Sequence, residues 1–436
     1  MLDTMPPIES ESLTPIAPNP RPRASLALWL LGIVVIAIMA GVGYYRYSTF
    51  TPTSSPTPTP APAQSLSGFS PMPDATSLLA YLKENNRDVF GDEEIVLINP
   101  ATKKETLLPI KKASYAYKYY GSEYLFYFTQ NNLGEYHRLN LQTGHDETFD
   151  LLDHTDARVD ITLNVNAITD ISPDGNYLVF NTSFSWPCPT MSPFPSGFQG
   201  GYGPCGPEES LDNPSGYYLY NFKTNQSTHL PVNTYRTSRW DIANAKLYFV
   251  DYDQSSTHAL DLKSKTLTNI DTTGRFGYYT YPLVQKDQLV KFEGSTGDDN
   301  LGPFGKIYLI NNSDHKETPI DSVNSWTDIQ PFITASPGES DILYRRSTNI
   351  AGLHRNSIYR FNLESAKTSR LTKDDDSLSY SIYVSWLSDH EIVTSVDVIE
   401  PNNYNNQNQY LVKIDLNTLK EERLTNHDQV MYFNTQ

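Results

Sequence analysis

Phe361-Asn362-Leu363-Glu364-Ser365 and Ile414-Asp415-Leu416-Asn417-Thr418 are two copies of one pattern, 53 residues apart. Each is an apolar strand end, then Asn or Asp, an apolar residue, any residue, and a hydroxyl residue before a polar turn. Working outward, the same pattern occurs at Ile98-Asn99-Pro100-Ala101-Thr102, Leu139-Asn140-Leu141-Gln142-Thr143 and Tyr220-Asn221-Phe222-Lys223-Thr224. It recurs at Leu260-Asp261-Leu262-Lys263-Ser264 and, in weaker form, at Ile310-Asn311-Asn312-Ser313. Successive Asn/Asp positions are 41, 81, 40, 50, 51 and 53 residues apart. Short strands repeating every 40–50 residues are the signature of a β-propeller.

The pattern has a physical reading. A strand runs out, Asn/Asp and Thr/Ser hydrogen-bond the turn backbone, and a second strand returns. Returning strands are expected at Glu105–Leu108, Ser227–Leu230, Ser369–Thr372 and Glu422–Thr425. Aromatic and β-branched strands precede the copies, at Tyr124–Phe128, Lys246–Val250, Ile342–Tyr344 and Glu391–Thr394. The sum is seven units of four strands, with six and eight blades as the neighbouring counts. The first copy has no such strand pair before it. Residues 74–86 read instead as a helix, with Asp74 as N-cap and Ala75, Leu78, Leu79 and Leu82 on one face. The missing strand is expected from Gln429–Phe433, which would close the ring and remove its exposed edges.

Ile171-Ser172-Pro173-Asp174-Gly175-Asn176-Tyr177 resembles the Ser-Pro-Asp-Gly repeat of TolB-like propellers and of the propeller domains of dipeptidyl-peptidase IV and prolyl-oligopeptidase relatives. Pro-Asp-Gly makes a tight turn between the first two strands of a blade. Ser336-Pro337-Gly338-Glu339 and Leu387-Ser388-Asp389-His390 read as degenerate copies. The resemblance covers residues 93–436 and implies an all-β, WD40-like fold in the cell envelope. The peptidase relatives carry a hydrolase domain with a Gly-x-Ser-x-Gly nucleophile elbow. That motif does not occur here, and the sequence after the last copy is too short to build the domain, so peptidase activity is not expected.

The 81-residue interval holds an insertion, residues 186–214, with seven Pro and five Gly. It contains both cysteines, Cys188 and Cys205. Outside the cytoplasm they are expected to pair, closing a loop of about 18 residues worth roughly 3 kcal/mol. A thiol metal pair and free thiols are the alternatives. Trp186, Phe194, Phe198 and Tyr202 lie in the same stretch, as anchors for a partner, as stacking platforms for sugars, or as the loop's own small core. Acidic clusters at Asp92-Glu93-Glu94, Asp298-Asp299 and Asp374-Asp375-Asp376 are candidates for Ca²⁺, but none has calcium-loop spacing, and solvated loops are the simpler reading. The nine His show no metal spacing, and no phosphate loop is present, so no cofactor is expected.

Ahead of the repeats, residues 24–42 read ASLALWLLGIVVIAIMAGV, with Tyr44, Tyr45 and Tyr47 following. Nineteen helical residues reach about 28 Å, close to the hydrocarbon thickness of a bilayer. The division read from sequence is a Pro-rich tail at 1–23, a signal-anchor helix at 24–45, a Pro/Thr/Ser linker at 46–67 and a lead-in at 68–92. A cleaved signal peptide is the rival to the anchor. Arg21 and Arg23 before the span, against Arg46 after it, favour an internal N-terminus. The stretch TPTSSPTPTPAPA at 51–63 would extend about 40 Å as polyproline II.

Of 436 residues, 33 are Lys or Arg and 50 are Asp or Glu, giving −17. Residues 1–63 hold three of each sign, so the remainder keeps that charge, which disfavours nucleic acid and anionic lipid. Two cysteines exclude a disulfide-dense scaffold. The expected function is an extracytoplasmic propeller that binds a protein or an envelope glycan. The alternatives are a lyase or glycan-active enzyme with its site in the channel, and a ligand sensor signalling through a membrane partner.

Overall fold

The structure is a computed structural model. It describes residues 64–432 apart from 85–92, 112, 130–134, 151–161, 186–215, 233–235, 252–255, 272–278, 296–303, 324–328, 351–352, 376, 400–407 and 428–429. The tail and span and most of the linker, at 1–63, therefore lie outside the described residues, as does the insertion at 186–214. Among the described residues no helix is long and apolar enough to cross a membrane.

Strand β1 (Gln64–Ser65) comes first, then β2 (Leu79–Glu84), β3 (Glu93–Ile98) and β4 (Glu105–Lys111). Next are β5 (Ala113–Tyr117), β6 (Tyr124–Thr129), β7 (Glu135–Asn140) and β8 (His145–Asp150), followed by β9 (Thr162–Ile171), β10 (Tyr177–Ser185), β11 (Gly216–Asn221) and β12 (Gln226–Leu230). The fourth set is β13 (Arg236–Asp241), β14 (Lys246–Asp251), β15 (Ser256–Asp261) and β16 (Leu267–Asp271). The fifth is β17 (Tyr279–Leu283), β18 (Gln288–Ser295), β19 (Phe304–Asn311) and β20 (Glu317–Val323). The sixth is β21 (Ile329–Ala335), β22 (Asp341–Ile350), β23 (Leu353–Asn362) and β24 (Lys367–Arg370). Last come β25 (Leu378–Ser388), β26 (Glu391–Val398), β27 (Asn408–Asp415), β28 (Glu421–Arg423) and β29 (Val430–Tyr432).

These strands form seven antiparallel sheets, so the chain is a seven-bladed β-propeller. First strands of successive blades touch, β13 with β17 and β17 with β21, which sets them at the axis and the fourth strands at the rim. The first blade has the order β29-β2-β3-β4, so the C-terminal strand supplies its inner strand, as the sequence suggests.

Two expectations change. Residues 74–84, the described part of the stretch 74–86, are not a helix. Only Ala75–Ser77 forms a 3-10 turn, Asp74 makes no side-chain cap, and Leu79–Glu84 is strand β2. Leu79 and Tyr81 pack toward the last blade while Ala80 and Leu82 pack toward the second. A strand buried on both faces is a continuous apolar run, and over a few residues its spacing mimics a helix. The second change is that Gln64 and Ser65, read as linker, add a fifth strand to the second blade by pairing with β8. Leu66, Phe69 and Met72 then pack on the core shared by blades one and two.

The core sits between blades. One cluster joins Leu97 and Ile110 of the first blade to Leu125 and Leu139 of the second. Another joins Phe126 and Phe149 of the second to Phe180 and Tyr220 of the third. Each blade is thus a sheet with two apolar faces.

The repeated pattern is the third turn of every blade. Its Asn or Asp side chain accepts backbone N–H groups two or three residues on: Asn140 from Gln142 and Thr143 at 3.0 Å each, Asp415 from Asn417 at 2.9 Å and Thr418 at 2.8 Å. The fourth residue after it is left-handed in all seven copies, at Lys103, Gly144, Asn225, Lys265, His315, Ala366 and Leu419. Except in the first blade, where it is Pro100, the residue right after the Asn or Asp donates its N–H to the first turn of the same blade, as Leu141 does to Glu123, Leu363 to Ser340 and Leu416 to His390. First and third turns therefore share one face. Second turns and the links between blades leave from the other.

Candidate functional site

Ser172, Pro173, Asp174 and Gly175 form the first turn of the third blade, between β9 and β10, where the sequence sets them. Ser172 Oγ donates to Asp174 Oδ1 at 2.7 Å and accepts the Tyr177 N–H at 2.8 Å. Asp174 Oδ1 also accepts the Asn176 N–H at 3.1 Å. Gly175 has φ 66°, and Tyr124 of the second blade lies where a Cβ would stand. These four residues shape backbone and offer no reactive group.

Around them, the axial ends of the first strands carry a belt of polar side chains that sequence reading missed. Asp170 accepts the Trp240 indole N–H at 2.6 Å and the Tyr119 hydroxyl at 3.2 Å, tying blades two, three and four. Glu339, fully buried, accepts the Val284 N–H at 2.9 Å and the Gln285 N–H at 2.7 Å and pairs with Arg239. Arg239 also donates to the Pro282 carbonyl at 3.0 Å, so blades four, five and six meet on one carboxylate. Asp389 accepts the Gly338 N–H at 2.5 Å, and Trp386 donates to Thr334 at 3.2 Å, joining blades six and seven. Lys118, also buried, donates to the carbonyls of Tyr119 at 3.1 Å and Ser122 at 2.5 Å. Burial lowers its ammonium to about 7, so it is held partly as the neutral amine. The available signal was an isolated polar residue beside a turn, which sequence alone does not separate from a solvated one.

The other end of the fourth blade holds Ser256, His258 and Asp251. Ser256 Oγ lies 2.9 Å from His258 Nε2, and Asp251 is opposite Ser256 in register. Burial lowers the His258 imidazole, against a smaller opposing effect of Asp251. His258 Nδ1 makes no hydrogen bond, so the carboxylate contact that fixes a catalytic imidazole in one tautomer is not made. Ser256 and His258 are 5% and 6% exposed. The trio has the residues of a nucleophilic site without its geometry.

Trp186, Phe194, Phe198, Tyr202, Cys188 and Cys205 lie outside the described residues. So do Asp92, Asp298, Asp299 and Asp376 of the acidic clusters. Glu93 is a buried residue of β3, Asp374 is paired with Arg370, and Asp375 accepts both Ser377 N–H at 2.9 Å and its hydroxyl at 2.6 Å. Among the described residues no three His, Cys, Asp or Glu side chains group as metal ligands.

Strand order and turns define a seven-bladed propeller, with six blades of four described strands and one of five, closed by its C-terminal strand. No protein-family model matches the chain, and no curated protein does. Its neighbours among solved structures include TolB and peptidase propellers. TolB from Acinetobacter baumannii shares 11% identity over 68% of this chain, with a TM-score of 0.38. The match spans 63% of that TolB's length. The β-propeller domain of the trilobed protease from Pyrococcus furiosus shares 13% over 72% of this chain and 98% of that one, at 0.40. Porphyromonas gingivalis dipeptidyl peptidase 4 shares 12% over 79% and 50%, at 0.42.

Proposed function

We propose that this chain is a membrane-tethered, extracytoplasmic propeller that serves as a binding scaffold for a protein or a glycan of the cell envelope. The observation that carries this reading is the division of labour between the two faces. On the face of the first and third turns, Asp170, Glu339 and Asp389 are engaged with neighbouring blades. Such side chains hold a ring together. The connection from β10 to β11, which is the aromatic insertion, belongs to the opposite edge of its sheet. The second turns of the blades leave from that edge, and propellers commonly recognise partners through the loops of a face. Pairing of Cys188 with Cys205 would preorganise the insertion for contact.

Two experiments test this. Protease added to intact cells or spheroplasts should digest the propeller; full protection would reverse the topology and remove the basis for a disulfide. A photo-crosslinking residue at Tyr202 should capture an envelope component, and one at Thr102, on the third turn of the first blade, should not. Capture only from position 102 would overturn the choice of face.

A further inference from the structure

Among the described residues four large apolar side chains are exposed: Leu107, Tyr115, Tyr383 and Leu419. Leu107 is on the outermost strand of the first blade, and Leu419 is in the third turn of the last. The two tyrosines are placed differently. Tyr115, 52% exposed, is on β5, and Tyr383, 40% exposed, is on β25. These are the innermost strands of blades two and seven. The faces of a blade are covered by its neighbours, so a side chain exposed in the middle of an innermost strand meets solvent in the central channel. Tyr115 pairs with Phe128, the fourth residue beyond the start of β6, and Tyr383 stands opposite Ser395, the fourth beyond the start of β26. Both second strands leave the face of the first turns, so the tyrosines share one height, on either side of blade one.

Both stand at β-bulges, which re-aim side chains and recur beside binding sites. Ser114 is the extra residue before Tyr115, and Ser381, Ile382 and Tyr383 together oppose Ser395. The second bulge is firmly held. Thr394, fully buried, directs its hydroxyl at the carbonyls of Ser381 at 3.2 Å and Tyr383 at 3.1 Å, and Ser381 Oγ accepts the Tyr383 N–H at 3.2 Å. Other tyrosine hydroxyls are engaged within the fold: Tyr127 with Asp146 at 2.7 Å, Tyr344 with Asp321 at 2.6 Å and Tyr380 with Glu421 at 2.7 Å. The Tyr115 and Tyr383 hydroxyls have no such partner among the described residues. The residues that bulges add to the innermost strands of blades two, three, four, six and seven are uncharged, Ser114, Thr169, Ser238, Phe332 and Ser381 among them.

We infer that Tyr115 and Tyr383 form a stacking site in the channel for a neutral oligosaccharide. A sugar ring presents C–H groups on its flat faces, and the electron-rich face of a phenol attracts them. The two free hydroxyls add donors and acceptors for sugar hydroxyls. An uncharged belt suits a neutral, polyhydroxylated chain, and the net charge of −17 disfavours an acidic one. The site goes beyond the face proposed above, because it requires neither the insertion nor a membrane tether.

Saturation-transfer difference NMR on the full-length protein in a sugar-free detergent tests this, with maltohexaose, cellohexaose and chitohexaose as probes. Ring C–H protons of at least one hexasaccharide should receive saturation, and titration gives its Kd. Tyr115→Ala and Tyr383→Ala should each weaken binding about tenfold, the scale of losing an aromatic contact. Tyr115→Phe and Tyr383→Phe keep the ring, so they should stay within about twofold of wild type. Tyr202→Ala, in the insertion, should change nothing. Binding of none of the three sugars, binding that survives both alanine variants, or binding lost only in Tyr202→Ala would overturn the channel site. Capture of an envelope component at Tyr202 with no sugar bound would also overturn it, while leaving the insertion as the recognition element.

Discussion

Two first turns of this propeller, Ser172-Pro173-Asp174-Gly175 in the third blade and Ser336-Pro337-Gly338-Glu339 in the sixth, share one backbone and use it differently. In both, the serine hydroxyl accepts a backbone N–H from across the turn, at 2.8 Å from Tyr177 and at 3.0 Å from Ser340. In both, the fourth residue donates its N–H to the serine carbonyl at 2.9 Å and is left-handed. The third blade fills that position with glycine and keeps its hydrogen bonds local, through Asp174. The sixth blade puts Glu339 there, at φ 52°. A non-glycine residue in that conformation costs roughly 1–2 kcal/mol. The offset is the carboxylate's three-blade network with Arg239, Val284 and Gln285. The turn that departs from the repeat is thus the one that does more to bind blades together.

Breaking each turn should separate these roles. Glu339→Ala leaves Arg239 buried without its carboxylate, and removing one partner of a buried pair costs about 3–5 kcal/mol. Denaturant unfolding should show this largest loss. Gly175→Ala should cost about 2 kcal/mol, from left-handed strain and a Cβ that would lie 2.6 Å from Tyr124 Cδ2. Trimming Tyr124 in the same protein should recover only the steric part.

Lys118 sharpens the comparison with a pH readout. Burial lowers it to about 7, whereas the unfolded side chain titrates near the ordinary lysine value of 10.5. The unfolded chain then holds more protons between those values, so stability rises with pH across that window. The rise should be roughly 1 kcal/mol per pH unit between pH 7 and 9. Lys118→Met should flatten it, and a slope unchanged in that variant would show that other groups produce it. The smallest effect belongs to the third turns. Leu419 is left-handed, and Leu419→Gly should stabilise by about 0.5 kcal/mol, because relief of strain slightly exceeds the entropy glycine loses on folding. Thermal unfolding should detect a small rise.

The fold was legible because its determinants are local. An Asn or Asp that folds back on its own turn needs the same residue types in each blade, and seven copies mark seven blades. Closure by the C-terminal strand was legible for the same reason, as a strand missing from the first unit. Strand β2 was misread because two-sided burial erases alternation over Leu79-Ala80-Tyr81-Leu82. Asp170, Arg239 and Glu339 were invisible because the partners that tie them to other blades lie 43 to 100 residues away, and Lys118 because its burial is set by the fold while its partners are ordinary turn carbonyls one and four residues on. Glu339 was hidden further by its setting, since a glutamate in a decayed turn motif looks like surface.

The Glu339 carboxylate, in a divergent turn, binds three blades of the ring together. A double-mutant cycle on Arg239→Met and Glu339→Gln, read by equilibrium unfolding, tests it most directly. Non-additivity of about 2–3 kcal/mol between the two substitutions is expected. Additivity within about 0.5 kcal/mol would contradict it and make the pair a passenger of the packing around it.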